Sequence, residues 1–422
     1  MRRPTLSGLR ASLPSAAGTR RLVGASLVDS LGTGLFLAGS ALFFTRVLRL
    51  SALEVGVGLS LAGVAGVLAM IPVGLLADRI GGKRTIVGLY LWRGCCFTAY
   101  PFARSPAAFF TLAFLIGAAE WSGGPVLQGI VGTLEGNDAR VRTMAAIFSV
   151  RNAGFSAGAV LATVVLATRN TTAFSGLVFA DAATFFIVAA LLTRLPAATN
   201  EAGRGQRDAA RQQRGRQGTR VPGFRFLALS ALNGVLFLHT VLLSAGLPLW
   251  IATKTTAPPA IIGAIVVLNT IMAIFLQVPL SRGSTDLRSA ARRQSWAGGC
   301  LAACCLIIAL TTRTGSAETA VLAIAAAVAL TLGEIWQGVG AWRLSFALAP
   351  PDQRSYYLSV YELGTSAATA AGPALITWAV IGNKAAGWGG LAAVFLATGL
   401  LVVLITSRLQ AVTPAETVTA QG

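Results

Sequence analysis

Acidic residues are scarce in this sequence: 15 Asp and Glu stand against 34 Lys and Arg in 422 residues, and charged residues together make up only 12% of the chain. Soluble domains carry roughly 25% charged residues. An ordinary soluble fold of this size is therefore excluded, and the 55% hydrophobic content assigns the chain to a lipid bilayer. One histidine, His239, and five cysteines, Cys95, Cys96, Cys300, Cys304 and Cys305, leave little from which to build a metal centre. The cysteines fall inside apolar runs without metal-ligand spacing, so they read as small packing residues and imply no disulfide framework. A Walker-type phosphate loop is missing, as is any nucleophile constellation, so the chain is expected not to be an enzyme and to need no cofactor. The formal charge of +19 would suit nucleic acid only if the basic residues gathered on a soluble domain, and none remains. Nucleic acid is excluded as a partner.

Apolar runs are what the sequence has in abundance. A spanning helix needs about 20 such residues, and twelve runs of that kind occur, at 22–45, 53–76, 85–103, 107–131, 143–168, 172–193, 224–250, 259–280, 293–312, 318–345, 356–381 and 387–407. They predict an all-α membrane protein with twelve transmembrane helices in two pseudo-symmetric six-helix bundles. The expected organisation is an N-terminal tail at 1–21, a bundle at 22–193, a linker at 194–223, a second bundle at 224–407 and a C-terminal tail at 408–422. On this plan 24 of the 34 basic residues fall on the side of the two termini, seven on the other side, and three (Arg93, Arg151, Arg343) within helices. The positive-inside rule then makes both termini cytoplasmic. A multi-pass protein of the cell membrane is expected, in contact with membrane lipids and acting as a monomer. Arg2, Arg3, Arg10, Arg20 and Arg21 precede a run too long for the core of a cleaved signal, so the first helix is expected to stay as a signal anchor. Residues 194–225 carry eight arginines among Gly, Gln and Ala and read as a flexible linker, either solvated or touching anionic headgroups. Trp250 and Trp388, near helix ends, read as interface anchors.

The two bundles carry traces of a repeat. At one offset of 214 residues Glu120 matches Glu334, Asp138 matches Asp352, Arg140 matches Arg354 and Gly158 matches Gly372. Acids are so rare here that several matches at one offset point to duplication. Parallel six-helix repeats are a transporter architecture, with the substrate expected near the bilayer midplane between them. After the second helix comes Gly74-Leu75-Leu76-Ala77-Asp78-Arg79-Ile80-Gly81-Gly82-Lys83-Arg84. Glycines there permit tight turning and close helix approach, and Asp78 with Arg79, Lys83 and Arg84 can make a charge network at the cytoplasmic edge, able to latch one conformation.

This motif resembles the signature that follows helix 2 in the major facilitator superfamily, with Gly82 in place of the usual basic residue, and the likeness covers about residues 22–407. The resemblance implies that Asp78 contacts the start of helix 11 in one state of the cycle, a carboxylate at a positive helix terminus. Gly74, Asp78, Arg79, Gly81, Lys83 and Arg84 are thus the expected cytoplasmic gate. The loop after helix 8, Ser281-Arg282-Gly283-Ser284-Thr285-Asp286, reads as a degraded copy or a solvated basic loop. Asn269, Gln277 and Pro279 in helix 8 look like the corresponding segment of drug-exporting members, although polar helix packing explains the two amides equally well. The arginine that proton-linked members often carry in helix 4 is missing, and the glycine series of helix 5 lacks its Gly-Pro end.

Ionisable groups inside a membrane are costly unless paired or wetted, so each is a functional candidate. Asp29, Glu120, Glu334, Arg151 and Arg93 are the candidates for proton coupling or substrate contact. Glu120 and Glu334 lie mid-helix at matched positions, where a carboxyl group could exchange protons as water access switches sides. Asp29, Arg93 and Arg151 share a depth and could pair. His239 reads as a satisfied core residue or, second, as a proton relay, whereas Asp181 and Glu362 have no assigned role. Trp121 and Trp336 accompany the acids as expected cavity aromatics for an amphipathic or cationic substrate. The best functional expectation is a secondary transporter that expels small amphipathic or drug-like compounds against protons. Proton-coupled uptake of a metabolite is the first rival, and a non-transporting membrane sensor of the same fold the second.

Overall fold

The computed structural model describes residues 17–135, 137–167, 171–195, 221–258, 260–283, 286–379 and 383–411. Most of the expected linker and nearly all of both expected tails lie outside the described residues. Helices account for almost all of the rest, as a bilayer demands, because only intra-segment bonding satisfies the backbone there. In chain order they are α1 (Ala17–Leu42), α2 (Ala52–Ile80), α3 (Gly82–Ala99), α4 (Pro106–Leu134), α5 (Asn137–Ala167), α6 (Thr171–Thr193), α7 (Phe224–Lys254), α8 (Ala260–Leu280), α9 (Leu287–Leu310), α10 (Ser316–Leu348), α11 (Arg354–Thr377) and α12 (Asn383–Ala411). Ten are long and apolar enough to cross a membrane. The other two, α3 and α11, carry Lys83, Arg84 and Arg93, or Arg354 and Glu362, among less apolar residues.

Local sequence sets the boundaries. Ser51 opens α2 with a capping box, accepting from the Glu54 backbone N–H while the Glu54 carboxylate accepts from the Ser51 N–H at 2.8 Å. Pro106 and the Ser105 hydroxyl start α4 by the same logic of using orphan N–H groups. Between α2 and α3 the chain turns at Gly81, whose φ of 100° suits a residue without a Cβ. Regular winding in α7 is interrupted just after His239 by a π turn at Leu242–Gly246, a feature often found at functional sites.

The chain packs as two units. The first holds the described residues through Val221 together with Ala349–Val360; the second holds the remainder. In the first, Phe36, Phe43, Phe44, Phe97, Tyr100 and Phe109 form a buried aromatic core. There α1 and α5 touch so closely that a Cβ on Gly158 would strike the Leu31 carbonyl. In the second, Trp250 and Trp388 are fully buried and meet edge to face at 5.6 Å, and the Trp250 indole donates to Thr311 at 3.0 Å. These tryptophans are core residues rather than interface anchors: a place near a helix end does not fix which way a side chain faces, and both face the second core. Cys304 and Cys305 lie in the same core, as small apolar residues.

Candidate coupling site and gate

Three helices of the first unit converge on Arg93. Its guanidinium, on α3, lies 3.4 Å from the Asp29 carboxylate of α1 and 3.6 Å from the Glu120 carboxylate of α4. Both separations exceed the ~2.7–2.9 Å of a tight charged hydrogen bond, so one cation is shared between two acids. Phe185 of α6 lies under the guanidinium at 4.1 Å from its ring centroid, and Tyr90 lies at 5.6 Å, which adds cation–π attraction. The bulk of Arg93 and Asp29 is buried, whereas 43% of the Glu120 side chain stays accessible. Gly94, beside Arg93, packs on Phe186 and lets α3 approach α6 closely.

The expected grouping of Asp29, Arg93 and Arg151 is met only in part. Arg151 is exposed and has no ion pair among the described residues. Shared depth along helices does not fix azimuth, and Arg151 stays exposed at the margin of the cluster.

Glu334 occupies the repeat position of Glu120 but meets different chemistry. In the second unit its carboxylate accepts from the Asn269 amide at 2.7 Å, and Asn269 also donates to the Thr331 hydroxyl at 3.1 Å. No cation lies within 4 Å of Glu334 among the described residues. Trp121 and Trp336 lie one and two residues from the acids, so they occupy other helix faces. Trp121 covers Gly66 of α2, and Trp336 pairs with Trp296 of α9 at 5.4 Å.

One polar cluster escaped sequence reasoning. Asn233 Oδ1 accepts from Gln337 Nε2 at 2.8 Å and from Gln294 Nε2 at 3.4 Å, and His239 Nε2 faces Gln337 Oε1 at 3.4 Å. These groups come from α7, α9 and α10 and are buried. A signal for them exists: at an offset of 204 residues Ser26 matches Ser230, Asp29 matches Asn233, Tyr90 matches Gln294 and Trp92 matches Trp296. The acid of α1 and the amide of α7 are equivalent positions, and what is ionic in the first unit is neutral in the second.

At the α2–α3 turn, Asp78 accepts two backbone N–H groups at the start of α11, from Ser355 at 3.0 Å and Tyr356 at 2.9 Å. A carboxylate at a helix N-terminus satisfies orphan donors and meets the positive end of the helix dipole. Gly74 makes room for Ser359 of α11. Lys83 turns elsewhere, donating to the Leu195 carbonyl at the end of α6 at 2.5 Å, and Arg79 and Arg84 are exposed. The repeat-matched arginines both cap α4: Arg354 donates to the Gly132 carbonyl at 2.5 Å and Arg140 to the Glu135 carbonyl at 2.7 Å. After α8 the chemistry is inverted. Arg343 donates to the carbonyls of Ser281 at 2.7 Å and Gly283 at 3.2 Å, and Arg293 to those of Leu280 and Arg282 at 2.5 Å. That turn is tied by cations to a helix C-terminus, whereas the first is tied by an anion to a helix N-terminus.

Residues 22–342 match the family model of the Major Facilitator Superfamily. No curated protein matches the sequence. Among solved structures, the human organic anion transporter MFSD10 (TETRAN) superposes with a TM-score of 0.65 at 15% identity, over 91% of this chain and 99% of that one. The proton:xylose symporter XylE gives 0.65 at 12% identity over 92% and 95%, and a bacterial homologue of the iron transporter ferroportin gives 0.67 at 15% over 94% and 100%. Likeness at such identities establishes a shared fold and leaves the cargo open. With its twelve helices and this match over most of its length, the chain belongs to the major facilitator superfamily.

Proposed function

We propose that this protein is a secondary transporter that expels small amphipathic, positively charged compounds from the cell in exchange for protons, by alternating access. The observation that carries the reading is Glu334. It is a membrane-embedded carboxyl group held by an amide and accompanied by no cation within 4 Å among the described residues. An uncompensated charge in such a place is costly, so either a proton or a cationic substrate must balance it. Competition between the two at one carboxyl is sufficient for antiport. The Asp78 contact with α11 is the cytoplasmic gate in this reading, made in one state and broken in another, with both termini in the cytoplasm of a cell-membrane protein.

The test uses purified protein in proteoliposomes with an imposed pH gradient and ethidium as the probe. Proton-driven ethidium accumulation is expected in the wild type and its loss in Glu334→Gln, which keeps an oxygen to accept from Asn269. Equal accumulation in the two would refute the role of Glu334.

A further inference from the structure

Asp181 is the carboxyl group that the cluster around Arg93 leaves out. It sits on α6 and is 1% exposed, and its carboxylate has a single hydrogen bond, from the Thr184 hydroxyl one turn along at 3.3 Å. A Cβ on Gly32 of α1 would collide with this carboxyl and with Thr184, so the group is packed against the α1 backbone one turn beyond Asp29. Phe185, four residues on, stacks on Arg93. Residues four apart share a helix face, so α6 presents Asp181 toward the same interior that Arg93 occupies. Among the described residues the ionisable groups of that interior are Asp29 on α1, Tyr90, Arg93 and Cys96 on α3, Tyr100 just beyond it, Glu120 on α4 and Asp181 on α6, with Arg151 of α5 exposed at the margin.

The charges do not balance. Three carboxyl groups face one guanidinium, whose terminal nitrogens are already divided between Asp29 and Glu120, and Asp181 has no cation within 4 Å among the described residues. The Arg93 Nε is buried without a hydrogen-bond partner. A spare donor and an uncompensated acid therefore occupy one bundle. We infer that Asp181 is a second proton-carrying residue of the transport cycle, separate from Glu334, and that Arg93 governs its occupancy. While Arg93 is held by Asp29 and Glu120, the Asp181 carboxyl is neutral. When its O–H bond breaks and the proton passes to water, the new carboxylate is answered by Arg93, whose unpaired Nε–H is the available donor. Thr184 positions the group and takes no proton.

This inference rests on the export reading but makes its own prediction about charge. Exchange of one monovalent cation for one proton at Glu334 moves no net charge; a second proton at Asp181 makes each cycle electrogenic. Two measurements test it. In the first, ethidium exchange in proteoliposomes is driven by a potassium diffusion potential at equal pH on both sides. The wild type is expected to respond, Asp181→Asn to lose the potential-driven component, and Asp181→Glu to recover it. Potential-driven exchange that persists in Asp181→Asn overturns the inference. In the second, which needs no substrate, infrared difference spectra of the purified protein across a pH step are expected to show a protonated-carboxyl band that disappears in Asp181→Asn and returns, shifted, in Asp181→Glu. A wild type without the band, or a band that survives Asp181→Asn, also overturns it. Absence of any ethidium exchange by the wild type would count against the export reading alone, and the infrared result would then decide the role of Asp181.

Discussion

Replacing Asp78 by Asn removes the charge from the Asp78–α11 contact while nearly preserving its shape. The carboxylate accepts two backbone N–H groups at 3.0 and 2.9 Å; an amide offers one oxygen and turns an NH2 donor toward the other N–H. Hydrogen bonds to charged groups contribute ~1.5–3 kcal/mol each, against ~1 for a neutral bond, and the dipole at a helix N-terminus adds ~0.3–1. Two charged bonds give way to one neutral one, so the net loss with the dipole is about 2–6 kcal/mol, which shifts the equilibrium between made and broken contact roughly 30-fold or more toward broken. The assay is the rate at which N-ethylmaleimide modifies a cysteine placed by Ser355→Cys, a buried position, in a background without the five native cysteines. Modification requires the first turn of α11 to leave Asp78, so the rate follows the broken population. Asp78→Asn is expected to label at least tenfold faster, with Asp78→Glu between the two. An unchanged rate in Asp78→Asn would show that the contact stores no conformational energy and would refute the gate.

Three further substitutions test the packing. Arg93→Met leaves Asp29 buried without its cation and should cost about 3–5 kcal/mol, read as a lower melting temperature in detergent; adding Asp29→Asn should restore most of it, and a double variant as unstable as the single would show that the pair is not the cause. Gly158→Val drives a side chain into the Leu31 carbonyl of α1 and should abolish monodisperse folded protein, whereas Gly176→Ala, where a Cβ meets nothing within 4 Å, should express as the wild type does. Gln337→Leu strands His239 Nε2 at a cost of about 1–3 kcal/mol and removes the shorter of the two bonds to Asn233, so its melting temperature should fall further than that of a surface Gln→Leu change.

The helical body was legible because a bilayer reduces the problem to counting apolar runs, and the twelve expected spans correspond to α1–α12. Ends were less so: α10 runs from Ser316 to Leu348 and α12 from Asn383 to Ala411, longer than their apolar stretches, because polar residues extend a helix beyond the hydrocarbon at no cost. Asp78 was readable as a helix-terminus ligand only through the family resemblance that its local motif carries. The partners of Arg93 were only half readable, since depth along a helix can be counted but the facing direction depends on how helices pack. Asn233, Gln294 and Gln337 were invisible because amides are ordinary in a polar interface, and only the alignment of Asn233 with Asp29 and of Gln294 with Tyr90 points to the cluster.

That equivalence bears on why the first unit is charged at all. Asp29 in the first unit belongs to an Asp–Arg–Glu cluster, whereas its aligned residue Asn233 in the second belongs to a cluster of Asn, Gln and His groups bonded to one another. The amide version fills the surroundings of Asn233 without an ion pair. Burying ions is costly, and a buried pair commonly stabilises no more than a neutral filling of the same volume. The ionic interior of the first unit is thus not something the fold requires. Its acids exceed its cations, and Glu120 remains partly accessible to water, so the arrangement suits groups that must gain and lose protons. An amide interior cannot do that at any pH. In the second unit the embedded carboxyl stands apart from the amides, on Glu334 with Asn269, where neutral donors can hold it in either state. A double exchange of Asp29→Asn with Arg93→Gln would copy the amide chemistry into the first unit, and on this argument should leave the melting temperature at or above that of the wild type while stopping potential-driven exchange.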